Sequence, residues 1–530
     1  MFIPRAKNEN LTGKQKKISF PAKIFSADKP SRDLVLVLRE FMPYSEFSAV
    51  EKRSDADFIF EVRPGISQRS EYYEIHSSET CFTATAKDRR GLINAAATLA
   101  QMINLRDGEF FLMLGDICDW PDKPFRAFMA DTGRKYVPLD EFSAHILMMA
   151  KAKMNKFHWH ISDGKGYPIA LDSYPNLKSP DPDGRKYSKA EVRALVEYAE
   201  LFGIDVIPEI DLPGHADALT ESLPELKCKT EGKANGWCVC LGTEATFDYI
   251  KTLFTELTEL FPYEYMHIGG DEIAMRDITT EHRFRIPDWD DCDRCKRRFR
   301  ELGLVGDTER FYYFLRRVYS IVTSLGKKVI MWNDDIDISV SPEIPRDILI
   351  MFWRVAGENR GPREGCSMRR FLEEGFEVIN ADYPNTYIDL PEYVNWHDLK
   401  NWNLDDTPGK AGELSHLVLG GVTCAWDVFK HFAHSLYTVV PAFADRVYNL
   451  APVTDEESFM RALTRFALGV SCPEGENMFG KYIKDIVLTT NDYDIFSKGC
   501  NKVEFKKLLT SLTNLCPSEE LLVKAYVSYI

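Results

Sequence analysis

No stretch of the 530-residue chain approaches 18 uninterrupted apolar residues, so none reads as a helix that crosses a bilayer. No block of lysines or arginines is long enough to track a phosphate backbone. With a net charge of −15, nucleic acid is not expected as a partner, nor is a membrane. The opening MFIPRAKNENLTGKQKK is polar and lacks the apolar core of a secretory signal, so we expect a cytoplasmic protein. In that compartment the twelve cysteines are expected to be reduced thiols. Also missing is a glycine-rich phosphate turn after a first strand, which argues against a doubly wound nucleotide-binding sheet. No cofactor is implied.

What the chain does have is ordinary globular composition, 45% hydrophobic and 28% charged, over a length that suggests a large domain with smaller ones attached. Residues 33–38, 57–62, 71–75 and 81–86 read as short strands and 89–103 as a helix, making a small α+β domain over 1–120. The Asp- and Pro-rich GDICDWPDKP, 115–124, reads as the linker out of it. From there apolar runs recur at 125–132, 156–163, 203–212, 263–272, 327–334, 348–354, 376–384 and 417–426. Amphipathic helical stretches such as 138–153 and 188–202 lie between them. Eight β-then-α units predict an α/β fold, a (β/α)8 barrel over 121–450. Helical patterns continue through 451–530 and predict a helical extension.

A barrel of this kind carries its active site at the carboxyl ends of its strands. Those ends hold Asp131, Asp163, Asp211, Asp271 with Glu272, Trp332, Trp353, Asp382 and Trp426. Carboxylates bond to hydroxyls and indole faces cover the C–H faces of a pyranose, so this rim suits a sugar. Polar strand ends alone account for the aspartates but not for three tryptophans.

The adjacent pair in HIGGDE is the sharper signal. Most glycosidases set two acids on different strands, across the bond to be cut. Neighbours on one strand point to opposite faces, so Asp271 and Glu272 are not expected to flank a sugar that way. Adjacency makes sense if Glu272 protonates the leaving oxygen while a 2-acetamido group of the substrate attacks the anomeric carbon. Asp271 would then orient and stabilise that group.

HIGGDE resembles the catalytic signature of glycoside hydrolase family 20, the β-N-acetylhexosaminidases, and the resemblance extends over most of 50–450. FRAFMADTGRKY resembles the first strand of that family, which implies that Arg126 grips sugar hydroxyls. KMNKFHWHISD and GIDVIPEIDLPGH resemble the second and third strands and imply a chain from Asp163 through His215 to Glu272. TYIDL resembles the element that holds the acetamido group, implying Tyr387 and Asp389, and Trp332, Trp353 and Trp426 match the indoles that wall it. The implied activity is exo-hydrolysis of terminal β-linked GlcNAc or GalNAc from a glycan or glycoconjugate. Two departures stand out: Asp163-Gly164 where the family usually has Asp-Asp, and Trp426-Asp427-Val428 where it commonly has Trp-x-Glu. The second leaves the gluco or galacto preference open.

Other readings exist. His158 and His160 share a strand face, as in zinc amidohydrolases, but the later strands supply tryptophans rather than further histidines. A conventional two-carboxylate glycosidase would use Asp211 or Asp163 as nucleophile, and a silent sugar-binding barrel would have no use for a proton donor. Cys228, Cys238-x-Cys240 and Cys292-x-x-Cys295 have spacings that could hold a structural zinc. Reduced thiols in long insertions are the favoured expectation, and no metal is assigned.

Overall fold

A computed structural model describes residues 1–26, 31–43, 45–106, 109–232, 234, 236–273, 287–336, 344–353, 367–388, 399, 402–406, 410–426, 432–459, 462–463 and 466. The helical extension expected over 451–530 lies almost entirely outside them. The amino-terminal part is one sheet built from β1 (Asn8–Ile18), β2 (Ala22–Ser26), β3 (Phe47–Ala49), β4 (Phe58–Val62), β5 (Tyr73–Ser77), β6 (Phe82–Ala86), β7 (Ile103–Arg106) and β8 (Glu109–Asp119). The strands run in the order β1-β8-β5-β6-β4-β2-β3, with β7 also pairing β8. Helices α1 (Ser31–Phe41) and α2 (Arg89–Met102) pack with it.

Two expectations fail here. Residues 33–38 are helical, not extended: Leu34, Val37, Leu38 and Phe41 are all buried at helical spacing, and the valines imitated a strand. The first half of the supposed linker is strand, since Ile117 pairs with Ile75 and Cys118 with Glu74 in β8. Only from Trp120 does the chain leave the sheet.

The barrel closes through β9 (Phe125–Asp131), β10 (Lys156–Ser162), β11 (Asp205–Leu212), β12 (Tyr265–Gly269), β13 (Lys328–Trp332), β14 (Leu349–Phe352), β15 (Val378–Asn380) and β16 (Val418–Ala425), which returns to pair with β9. All pairings are parallel. Each of the eight runs read from the sequence contains one of these strands. In β9 and β10 every residue is buried, the mark of strands covered on both faces. Met129, Ile207, Ile330, Met351, Ile379 and Val422 fill the interior, and Trp332 caps this column from below the carboxyl-terminal mouth.

The two parts are joined at the opposite end of the barrel. Arg126, second residue of β9, is fully buried and its guanidinium is taken up by Glu71, by the Lys153 carbonyl at 2.8 Å and by the Lys123 carbonyl at 2.9 Å. Beside it Lys153 donates to Asp119 and to the Tyr73 hydroxyl, both at 2.8 Å. The expectation that Arg126 grips sugar hydroxyls is therefore overturned: it stands at the amino-terminal end of its strand, with one arm of the guanidinium paired to Glu71 of the amino-terminal domain and the other two taken up by barrel-side carbonyls.

Candidate active site

The carboxyl-terminal mouth is built from the residues just past each strand. Asp163, directly after β10, is the anchor on one side. Its Oδ2 lies 2.8 Å from Arg134 Nη2, 3.2 Å from His160 Nε2 and 3.4 Å from His215 Nδ1, and its Oδ1 accepts the Gly164 amide. Arg134 also pairs with Asp131 at 2.8 Å and lies over the Trp426 ring at 5.2 Å. Gly133 is required between them, because a Cβ there would sit 2.6 Å from the Asp163 amide.

His215, in a left-handed conformation after β11, faces the acids with its other nitrogen: 3.6 Å to Asp271, 3.6 Å to Glu272 and 3.9 Å to Asp211. These are ion-pair separations, longer than good hydrogen bonds. Trp237 packs on the imidazole at 4.3 Å and its indole N–H donates to the Glu272 carbonyl at 3.2 Å.

The acid pair does not lie on a strand. β12 ends at Gly269, and Gly269, Gly270 and Glu272 all take positive φ, so the chain turns sharply at the rim. A Cβ on Gly269 would fall 2.1 Å from Asp211 Oδ1, so only glycine allows this approach. Strand alternation therefore does not govern the pair, a correction to the sequence reading: because the residues lie past the strand, both carboxylates reach the same imidazole. Asp334, past β13, closes the far side. Its Oδ2 accepts the Glu272 amide at 2.9 Å and its Oδ1 accepts the Trp353 indole N–H at 2.8 Å. Trp353 stacks on Tyr387, and Tyr387 meets Trp426 at 5.9 Å. Contacts therefore run in an unbroken ring from Trp426 through Arg134, Asp163, His215, the acid pair, Asp334, Trp353 and Tyr387 back to Trp426. Trp332 lies beneath, 5.8 Å from Trp426.

Electrostatics sort these acids by role. Burial favours the neutral form of Asp163, but Arg134 and His215 outweigh it and hold the carboxyl well below its usual range. Burial pulls His215 down, yet Asp211, Asp163 and Asp271 outweigh it and keep the imidazole protonated well above its ordinary value. Asp211 is buried against Asp271 with no hydrogen-bond partner among the described residues for either oxygen, and is pushed well above the carboxylate range. Asp271 rises to about 7, through burial first and then repulsion from Asp334, Glu209 and Glu272, against the pull of His215. Deeper still, Glu209 is held ionised by His160, His267 and His158, and accepts the Trp332 indole N–H at 2.7 Å. His158 and His160 are thus engaged with a barrel-core carboxylate.

Of the sequence-derived residues, Asp163, His215, Asp271, Glu272, Trp353, Tyr387 and Trp426 line this ring and Trp332 supports it. Arg126 is elsewhere, while Asp389, Asp427 and Val428 lie outside the described residues. Sequence reasoning missed Arg134, Glu209, Trp237 and Asp334. Arg134 and Asp334 had a usable signal, as charged groups two or three residues beyond strand ends already singled out. The two arginines give a direct contrast. Arg126→Met should cost about 3–5 kcal/mol of stability, because it strands the buried Glu71 charge, while leaving KM unchanged. Arg134→Lys should instead raise KM with little change in melting temperature. Thermal melts and Michaelis curves on both variants check this.

A closed (β/α)8 barrel whose mouth joins a proton-holding chain of acids and imidazoles to a wall of indoles has the layout of a glycoside hydrolase. The catalytic-domain model of glycosyl hydrolase family 20 matches residues 124–447, and the chain belongs to that family. It is 29% identical over 360 residues to a β-hexosaminidase of Porphyromonas gingivalis, covering 61% of this chain and 44% of that protein. The β-hexosaminidase subunit alpha of Mus musculus is 26% identical over 389 residues, covering 71% of this chain and 70% of that one. The family 20 exo-β-N-acetylglucosaminidase of Vibrio harveyi, solved with N-acetylglucosamine, superposes with a TM-score of 0.76 at 20% identity, over 88% of this chain and 76% of that one.

Proposed function

We propose that this protein is an exo-acting, retaining β-N-acetylhexosaminidase that removes terminal GlcNAc or GalNAc from a glycan by substrate-assisted catalysis. The observation that carries the mechanism is that one acid is open. The Glu272 side chain is 21% exposed, against 9% for Asp271, 6% for Asp163 and 1% for Asp211. The two residues that a conventional mechanism would use as nucleophile are closed off: Asp163 is committed to Arg134, His160 and Gly164, and Asp211 is sealed beneath Gly269. The attacking atom must then come with the substrate.

In the first step Glu272 gives its proton to the glycosidic oxygen as the C1–O bond breaks. The acetamido carbonyl oxygen bonds to C1, forming an oxazolinium ion. Asp271 accepts the acetamido N–H and balances the positive charge, a charge-assisted contact that strengthens as charge develops. Glu272, now a carboxylate, takes a proton from the water that attacks C1 and opens the ring, so configuration is retained. His215, tied back to Asp163, lies beside both carboxylates and steadies the acid in each protonation state.

A side-by-side assay of aryl β-GlcNAc, β-GalNAc and β-glucoside tests the reading. Both N-acetyl substrates should turn over, and kcat/KM for the glucoside should be lower by on the order of 10³-fold or more, since it lacks the intramolecular nucleophile. Comparable turnover of the glucoside, or a trapped ester between sugar and protein, would overturn it.

A further inference from the structure

Four cysteines that the reaction does not use converge at one point beside the site. We propose that Cys228, Cys240, Cys292 and Cys295 form a tetrahedral structural zinc site that clamps the loop after β11 to the segment after β12. All four are buried. Their Sγ atoms lie 3.5 Å apart for Cys240 and Cys295, and 3.8 Å apart for both Cys228–Cys295 and Cys240–Cys292, with all four within 4.8 Å of one another. A zinc ion bonded to four thiolates at about 2.3 Å sets its sulfurs about 3.8 Å apart by tetrahedral geometry. A disulfide would bring a pair to about 2.05 Å, and no pair among the described cysteines is joined.

The backbone brings the four sulfurs together. Cys292 occupies the N-cap position of the helix Asp293–Leu302 and Cys295 lies in its first turn, so one helix start presents both sulfurs to the loop. Gly242 lets the first loop press against this turn, since a Cβ there would sit 2.2 Å from the Arg294 carbonyl carbon. Arg294 reaches back to the carbonyls of Glu225 and Lys227. Cys238, two residues from Cys240, is not part of the cluster and points its sulfur toward the Ile273 carbonyl. Of the two spacings weighed in the sequence, Cys292-x-x-Cys295 is used whole and Cys238-x-Cys240 only in part.

Zinc binding here releases four thiol protons to solvent and no electrons move. The clamp has a purpose in the architecture: the loop it pins carries Trp237, which packs on His215 and bonds the Glu272 carbonyl. The site thus stabilises the frame of the acid pair without touching substrate, and it stands or falls independently of the hydrolytic mechanism.

Metal analysis of the full chain purified from zinc-supplemented medium tests it. About one zinc per chain is expected, released by a thiol-directed mercurial, and replaceable by cobalt(II) with the visible bands of a tetrahedral thiolate complex. Cys292→Ser with Cys295→Ser should abolish the zinc, whereas Cys238→Ser should retain it. Should the double variant fail to fold, the metal content and cobalt spectrum of the unaltered chain still decide. Iron in place of zinc, four freely titratable thiols in the purified chain, or disulfides among these cysteines would each overturn the proposal.

Discussion

Glu272→Gln should bind N-acetylhexosamine with near-normal affinity and lose turnover by about 10²–10⁴-fold on substrates with poor leaving groups. Glutamine keeps the shape of the side chain and leaves the backbone contacts intact, since Asp334 and Trp237 hold residue 272 through its amide and carbonyl. What it lacks is the proton for the glycosidic oxygen. The deficit should therefore depend on chemistry in a way that misfolding does not. An aryl glycoside whose phenolate leaves unaided, such as the 2,4-dinitrophenyl derivative, should recover most of the first step. Formation of the oxazolinium ion then proceeds, and its slow hydrolysis, which still needs a base, becomes limiting. Steady-state rates across a series of phenols check this: a steeper dependence on leaving-group acidity than in the unaltered enzyme is expected. A loss that is equal for all leaving groups would remove Glu272 from the acid role.

The frame of this site was legible because it depends on periodicity. Eight apolar runs of strand length separated by helices leave little choice but a closed parallel barrel, and the barrel alone sends each strand-end residue to the same mouth. Which residue of a run stands at the mouth is a finer matter. Arg126 and Asp131 share β9, and only the pairing of Arg126 with Glu71, 55 positions earlier in the chain, reveals which end faces the amino-terminal sheet. The error with Arg126 was therefore one of direction along a correctly placed strand. Asp334 escaped notice because its role is relational: it links the Glu272 amide to the Trp353 indole across three strands, and no local pattern encodes that. The helix at Ser31–Phe41 was misread because Val35 and Val37 alternate with leucines in a continuous, strand-like apolar run, and helical spacing prevailed once α1 had a sheet to pack on. The cysteines show the reverse case, with a spacing that was suggestive but needed the fold to select four from five.

Asp271→Asn should move activity and stability in opposite directions. Activity should fall by on the order of 10²–10³-fold, because a neutral amide cannot balance the oxazolinium charge. Stability should rise, and only at higher pH. An unfolded aspartate ionises near 4, whereas in the folded site burial and the neighbouring acids raise Asp271 to about 7. Between those values the native state holds a proton that the unfolded chain has released, so native stability falls as pH climbs through this window. Above about 7 the protein carries the full cost of an ionised, crowded carboxylate, on the order of 4 kcal/mol for that separation. Asparagine never ionises and escapes it. The variant should melt close to the unaltered protein at pH 5 and distinctly higher at pH 8, a comparison that thermal scans in two buffers supply. Were Asp271 simply an ion-pair partner of His215, the same substitution would lower the melting temperature at pH 8, since it would leave a buried imidazolium short of one counter-charge. The sign of that single difference separates a carboxylate held under electrostatic strain for the reaction from one that serves to hold the fold together.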